Sequence, residues 1–276
     1  MTYATLMVHL QLGQSNAGLL RIAGDLADRF QASVIGIAAG YPIQIVYGDG
    51  YIPGDLIEQD LQEIEKGIKL AESEFRTALG TRVANLEWRS ATTIGSMSNY
   101  LADEARSADL VITRVNGQAS MFDASGSTNV GDLVMQIGRP VLVVPASADT
   151  LKLERAIIGW KDTREARRAV LDALPLLKKA AHVTVVEIAA EQELPAARMR
   201  LQDVVGWLTR HAVAAEYVAT PSIRDDATRL TAIAHERSVD LIVAGAYGHS
   251  RLREWVLGGV TRDLLLRADQ CSLVSH

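Results

Sequence analysis

Residues 245–263, GAYGHSRLREWVLGGVTRD, place four glycines directly after the apolar run Leu241 to Ala244. Glycine lets the main chain take unusual φ values and lie close to a ligand, because no Cβ intervenes. Gly258 and Gly259 then stand before an apolar segment, Val260 to Ala268, whose pattern predicts a helix. The free N–H groups and dipole of such a helix start favour an anion, and phosphate is the natural candidate. Thr261 adds a hydroxyl, while His249, Arg251 and Arg253 add donors or positive charge nearby.

Two common phosphate loops are excluded by spacing. Gly13 and Gly18 have the glycine interval of G-x-x-x-x-G-K-[ST], but Leu19 and Leu20 replace the lysine and hydroxyl. The dinucleotide motif G-x-G-x-x-G does not occur. Covalent chemistry fares no better. Gly13-Gln14-Ser15-Asn16-Ala17 falls one residue short of a G-x-S-x-G nucleophile elbow and sits after the first strand, so a turn rich in Ser and Asn explains it. The six histidines show no ligand spacing, which leaves a metal centre unsupported. Cys271 reads as a small buried apolar residue. No catalytic residue can be named.

The elements that must position the glycine stretch occur twice. ARSADLVITRVNG (105–117) and ERSVDLIVAGAYG (236–248) match at a constant spacing of 131 residues, which also carries Asp132 onto Asp263 and Leu142 onto Leu273. The openings of the two halves match as strand, polar turn, amphipathic helix and strand at a spacing near 150, so the first half holds about 19 extra residues, placed in YPIQIVYGDGYIPGDLIEQD (41–60). Each half reads as strands alternating with helices, which implies parallel pairing through right-handed crossovers. The expected fold is α/β: two tandem doubly wound, Rossmann-like domains with open parallel five-stranded sheets, over residues 1–149 and 150–276.

Two helices carry finer expectations. Ile57, Leu61, Ile64, Ile68, Ala71 and Phe75 form one helical stripe, expected to pack on its own sheet. Asp162 followed by Glu165 has the form of a capping box.

Composition sets the outer limits. The chain has 276 residues, 48% hydrophobic and 22% charged, with a formal net charge of −5. Acids and bases are interspersed, which argues against a dedicated nucleic-acid or anionic-membrane surface. One cysteine, an N-terminus unlike a secretory signal, and no run of the ~20 apolar residues that cross a bilayer together predict a cytoplasmic protein.

Gly245-x2-Gly248-x9-Gly258 resembles the G-x2-G-x9-G-[ST] signature of the ATP-binding universal stress proteins, whose fold is adenine nucleotide alpha hydrolase-like. The polar turn in IIGWKDTREA and the closing strand CSLVSH agree with that family. The resemblance spans residues 151–276 directly and reaches the first half through the repeat. It implies a stress-response protein that binds ATP, ADP or AMP, with or without Mg, in its second half. Ala244, Gly245, Tyr247 and Gly248 would line the ribose and phosphates, and Gly258, Gly259, Val260 and Thr261 would hold the phosphates. Gly159, Trp160 and Lys161 would form the corner near adenine and ribose, with Ile188 against the base. The resemblance also implies an internal pseudo-dimer through the last strands, and pairing of two chains.

This sequence departs from the family at Gly259, where a hydroxyl residue is usual, and at Lys161, where an Asp is common. In the first half Arg114 and Ser127 replace the first and third glycines and only Gly117 survives, which predicts a fold kept without nucleotide binding. Two alternatives stand beside this reading: a member working as a protein-interaction or metabolite-binding module, and an adenylate-forming enzyme. The second would need an S-G-G-x-D-S type loop after the first strand, which GWKDTREA does not supply. Slow ATP hydrolysis would be the only activity expected.

Overall fold

A computed structural model describes residues 2–42, 54–93, 95–114, 130–222, 225–246 and 270–276. In the first half the chain forms β1 (Thr5–His9), α1 (Ala17–Phe30), β2 (Ser33–Gly40), α2 (Gly54–Leu79), β3 (Leu86–Thr92), α3 (Met97–Glu104), β4 (Leu110–Arg114), α4 (Val130–Gln136) and β5 (Val141–Val144). The second half repeats this as β6 (Arg155–Gly159), α5 (Arg164–Leu177), β7 (His182–Ala189), α6 (Leu194–Arg210), β8 (Ala215–Pro221), α7 (Asp226–Glu236), β9 (Leu241–Gly245) and β10 (Cys271–Ser275). The helix expected over 260–268 lies outside the described residues.

Near-continuous Val, Ile and Leu runs form the central strands because both faces are covered by helices. The strand order is β3-β2-β1-β4-β5-β10-β9-β6-β7-β8, a single sheet of ten strands. Within each half every neighbouring pair is parallel. The halves join antiparallel through β5 and β10, with Leu142 opposite Leu273 and Val141 opposite Val274. The two five-stranded sheets are thus one sheet with pseudo-two-fold symmetry. Because the joint is antiparallel, the carboxyl ends of the two halves' strands point to opposite edges.

Helices α1, α2, α5 and α6 cover one face over a core that runs unbroken across the joint, from Leu20 and Phe75 to Leu174 and Leu208. Helices α3, α4 and α7 cover the other, where two smaller clusters form. Tyr3 ties the halves together further, its hydroxyl donating to the Asp172 carbonyl oxygen at 2.6 Å.

Two sequence expectations need correction. The cap of α5 is Thr163, whose hydroxyl accepts from Ala166 N at 3.3 Å, whereas Asp162 pairs with Arg167 at 2.6 Å. The capping box fails because the chain turns one residue later than its letters suggest. The α2 stripe divides: Ala71, Phe75 and Leu79 are buried, Ile64 and Ile68 are partly covered, and Ile57 and Leu61 are exposed. With 26 residues against 17 in α6, this helix takes up part of the first half's extra length and overruns its sheet.

Candidate functional site

In each half the strand order reverses between the first and fourth strands, β1 and β4 or β6 and β9. Chain connections leave on opposite faces at that point, so a crevice opens beyond the carboxyl ends of the two strands. The pairing register puts Gly159 beside Ala244 at the second-half reversal, with Gly245 one residue further on. Those three expected site residues are therefore brought together. Tyr247, Gly248, Gly258, Gly259, Val260 and Thr261 lie outside the described residues, as do His249, Arg251 and Arg253.

Gly245 lacks a side chain for a reason the motif does not announce. A Cβ there would stand 2.5 Å from Ala166 N and 2.5 Å from the Glu165 carbonyl carbon, so the first turn of α5 packs directly on its main chain. Close strand–helix contact is one of the established uses of glycine at a reversal of this kind. A Cβ on Gly159 would meet Leu230 of α7 at 3.0 Å on the opposite face. Both glycines bring the flanking helices in close to the crevice.

The other expected residues separate by face. Trp160 donates its backbone N–H to the Val186 carbonyl oxygen at 2.8 Å, and its ring lies within the core shared by α5 and α6. Its indole N–H is buried without a hydrogen-bond partner. Ile188 packs from β7 onto the α7 cluster, on the opposite face from Trp160. Lys161 is exposed in the turn, where its carbonyl oxygen accepts from Thr163 N at 2.6 Å. Glu165 is buried next to Gly245. Burial alone would raise its carboxyl pKa, but hydrogen bonds from Arg164, its own backbone and Thr163 hold it below the usual range.

At the first-half reversal the equivalent positions carry side chains. His9 and Thr113 stand where Gly159 and Ala244 stand, and Nδ1 of His9 is 3.0 Å from Oγ1 of Thr113. His9 is fully buried, and the loss of hydration pushes its pKa down to about 4, so the ring is neutral near pH 7. Arg114 takes the place of Gly245. Its guanidinium donates to the Ser15 carbonyl oxygen at 2.8 Å and would lie 2.9 Å from a Cβ on Gly18, over the first turn of α1. Burial lowers the Arg114 pKa, and its Nε has no partner.

Around them Asn16 organises the turn that resembled a nucleophile elbow. Its side chain accepts from Gln11 N at 3.0 Å and donates to the carbonyl oxygens of Gln11 and Gln14 and to Glu74. The His9–Thr113 contact escaped the reading of motifs. Aligning the strand ends of the two repeats against each other is the signal that would have exposed it.

Among the described residues no group of three or more His, Cys, Asp or Glu is placed to hold a metal ion, and no helix is long and apolar enough to cross a membrane. Cys271 is buried in β10, its thiol pushed up to about 12 chiefly by desolvation.

No protein-family model and no curated protein matches the sequence. Solved structures do match by fold. A universal stress protein from Archaeoglobus fulgidus DSM 4304 superposes with a TM-score of 0.74 at 14% identity, covering 98% of this chain and 95% of that one. A putative universal stress protein from Pseudomonas aeruginosa UCBPP-PA14 gives 0.65 at 13% identity, with coverages of 99% and 93%. A protein of unknown function from Pseudomonas aeruginosa PAO1 gives 0.59 at 12% identity, with coverages of 99% and 92%. With its repeated halves, reversed strand order and end-to-end superposition, the chain has the tandem two-domain fold of the universal stress proteins.

Proposed function

We propose that this chain is a tandem universal stress protein whose second half binds an adenine nucleotide, ATP, ADP or AMP, for sensing or regulation rather than catalysis. The observation that carries the reading is the strand-order reversal at β6 and β9, where Gly159, Ala244 and Gly245 end the strands without bulky side chains and the spaced glycines follow in sequence. Ligands of open parallel sheets sit at this position. In this reading Ile188 faces the base from β7, and Gly248 and Gly258 to Thr261 hold the phosphates through backbone N–H groups. Residues 1–149 keep the architecture without the nucleotide, since His9, Thr113 and Arg114 occupy the matching crevice.

One observation favours a second reading, a protein-interaction or metabolite module without nucleotide: the space in front of Gly245 is taken by the backbone of α5.

Thermal unfolding with ATP or AMP and magnesium decides between them. Nucleotide at ~100 times its dissociation constant stabilises the folded state by about 2.7 kcal/mol, a rise of several degrees in Tm. Gly248→Val abolishes that rise by blocking the approach of phosphate. A rise unchanged in the variant moves the site elsewhere, and no rise at millimolar nucleotide leaves the second reading. Release of pyrophosphate would instead establish an adenylate-forming enzyme.

A further inference from the structure

At the opposite edge of the second half, where β6, β7 and β8 begin, the structure holds a solvent-open cleft of about 630 Å³. Its lining includes Arg155, His182, Thr184, Glu216, Glu236 and Arg237. The register explains why these residues converge. Arg155 pairs with His182 across β6 and β7, and Thr184 pairs with Glu216 across β7 and β8, so all four side chains stand on the face covered by α7. Helix α7 ends above them. Ser238, at a φ of 50°, breaks the helix, and Val239 N closes the turn onto the Ala234 carbonyl oxygen at 2.9 Å. That stop leaves Glu236 and the partial negative charge of the helix end on one wall.

Arg237 spans the cleft as a clamp. It donates to Glu216 at 2.5 Å and to the buried Thr184 hydroxyl at 3.3 Å, while that hydroxyl donates to Glu216 at 3.0 Å. The Arg237 guanidinium accordingly holds the Glu216 carboxyl below its usual pKa. With that pair closed on itself, the outward charges are Arg155 at the start of β6 and Glu236 at the helix end, and the His182 imidazole stands beside Arg155 at the start of β7. Arg155 and Glu236 therefore line one cleft with opposite charges.

The repeat supplies an internal control. In the first half the positions of Arg155, His182 and Thr184 are Thr5, Ser33 and Ile35, as the pairings Thr5 with Ser33 and Ile35 with Glu87 show. Glu87 and Arg106 match Glu216 and Arg237, but Arg89, where the second half has Val218, reaches across the corner. It donates to Glu87 at 2.7 Å, to Glu104 at 2.8 Å and to Ser107 at 3.1 Å. One half closes this corner with an arginine network; the other substitutes valine for that arginine and adds a guanidinium and an imidazole, Arg155 and His182, at the rim.

From this arrangement we infer that the cleft at the amino ends of β6–β8 binds a small zwitterion, an amino acid or short peptide, with its carboxylate on Arg155 and His182 and its ammonium on Glu236 and the end of α7. Nothing in this depends on the nucleotide crevice, which lies at the other edge of the same strands.

The test is calorimetric titration of the full chain, without nucleotide, with L-alanine and with dialanine. L-alaninamide, which lacks the carboxylate, L-lactate, which lacks the ammonium, and inorganic phosphate are titrated alongside. The zwitterions bind, and removal of either charge weakens binding by about tenfold or more, because a charge-assisted hydrogen bond is lost. Arg155→Gln and Glu236→Gln each lower the affinity by a similar factor; both positions are exposed, and unchanged melting curves verify that the variants fold. Tighter binding of dialanine assigns a peptide ligand, tighter binding of alanine a free amino acid. Three results overturn the inference: no heat from either zwitterion at millimolar concentration, lactate or phosphate binding as tightly as alanine, or full affinity in Arg155→Gln. Because no nucleotide is present, a failed nucleotide response leaves these outcomes unaffected.

Discussion

The two strand-order reversals of this molecule share a backbone and differ in how they are filled. At β1 and β4 three side chains, His9, Thr113 and Arg114, stand at the strand ends, His9 against Thr113 and Arg114 on the Ser15 carbonyl oxygen of the neighbouring turn. At β6 and β9 the same positions are Gly159, Ala244 and Gly245, and the flanking helices approach the bare main chain. A repeat that keeps strand register while exchanging crevice residues shows that the sheet does not depend on which side chains stand at the strand ends. The sheet needs the apolar strand interiors; the crevice needs only the last one or two residues of each strand.

The strongest way to break this comparison is to exchange bulk at the two matched positions. Gly245→Val places a side chain 2.5 Å from the α5 backbone, which cannot retreat cheaply, and is expected to cost about 3 kcal/mol, as overpacking does. At the first-half position Arg114→Val fits without such a clash and costs about 1 kcal/mol through loss of the Ser15 hydrogen bond. Urea unfolding measures both. Equal costs would mean that the α5 approach to Gly245 is not a structural requirement.

Next in size is a pH effect confined to the first half. His9 titrates near 6.5 when unfolded and near 4 when folded, so the unfolded chain binds more protons between these values. Stability from this group is full above pH 6.5 and is lost as the pH falls toward 4, by about 3 kcal/mol for a shift of this size. Carboxylates begin to protonate at the acid end of this window. The measurement is therefore the difference between wild type and His9→Gln, followed by denaturant midpoint from pH 7 to pH 4. Parallel curves would show that His9 is not held neutral.

The smallest expected effect sharpens the contrast at the opposite edge. Arg89→Val installs the residue that the second half uses at that position. It should cost about 1 kcal/mol, since Arg89 is only partly exposed and joins two carboxylates. Urea unfolding in low and high salt checks it. A loss that persists undiminished in high salt would mean that packing, not charge, closes that corner.

Much of this was legible in the letters. The repeat at constant spacing, strands alternating with helices and the apolar strand runs dictated two doubly wound halves, because those patterns depend on local periodicity and on burial of both sheet faces. The run Leu241 to Ala244 read as a strand, and it is β9, beside β6 at the strand-order reversal. Other features depended on contacts between segments far apart in the chain. The sequence pointed to Asp162 as a cap, but the turn geometry selected Thr163. It pointed to one continuous packed stripe on α2, but the sheet ended before the helix did, leaving Ile57 and Leu61 exposed. It could suggest that Gly245 served a ligand, yet only the packed structure revealed a helix terminus against it. The cleft of Arg155, His182, Glu236 and Arg237 is spread over more than 80 residues of chain, with no spacing to announce it.

By itself, the sequence determined the class of fold and its duplication, since apolar periodicity and turn residues act over a few positions and are written consecutively. Tertiary structure alone decided which side chains and helix turns meet at each strand end and which charges share a cleft. Strand register and helix approach bring together residues that the chain order keeps apart.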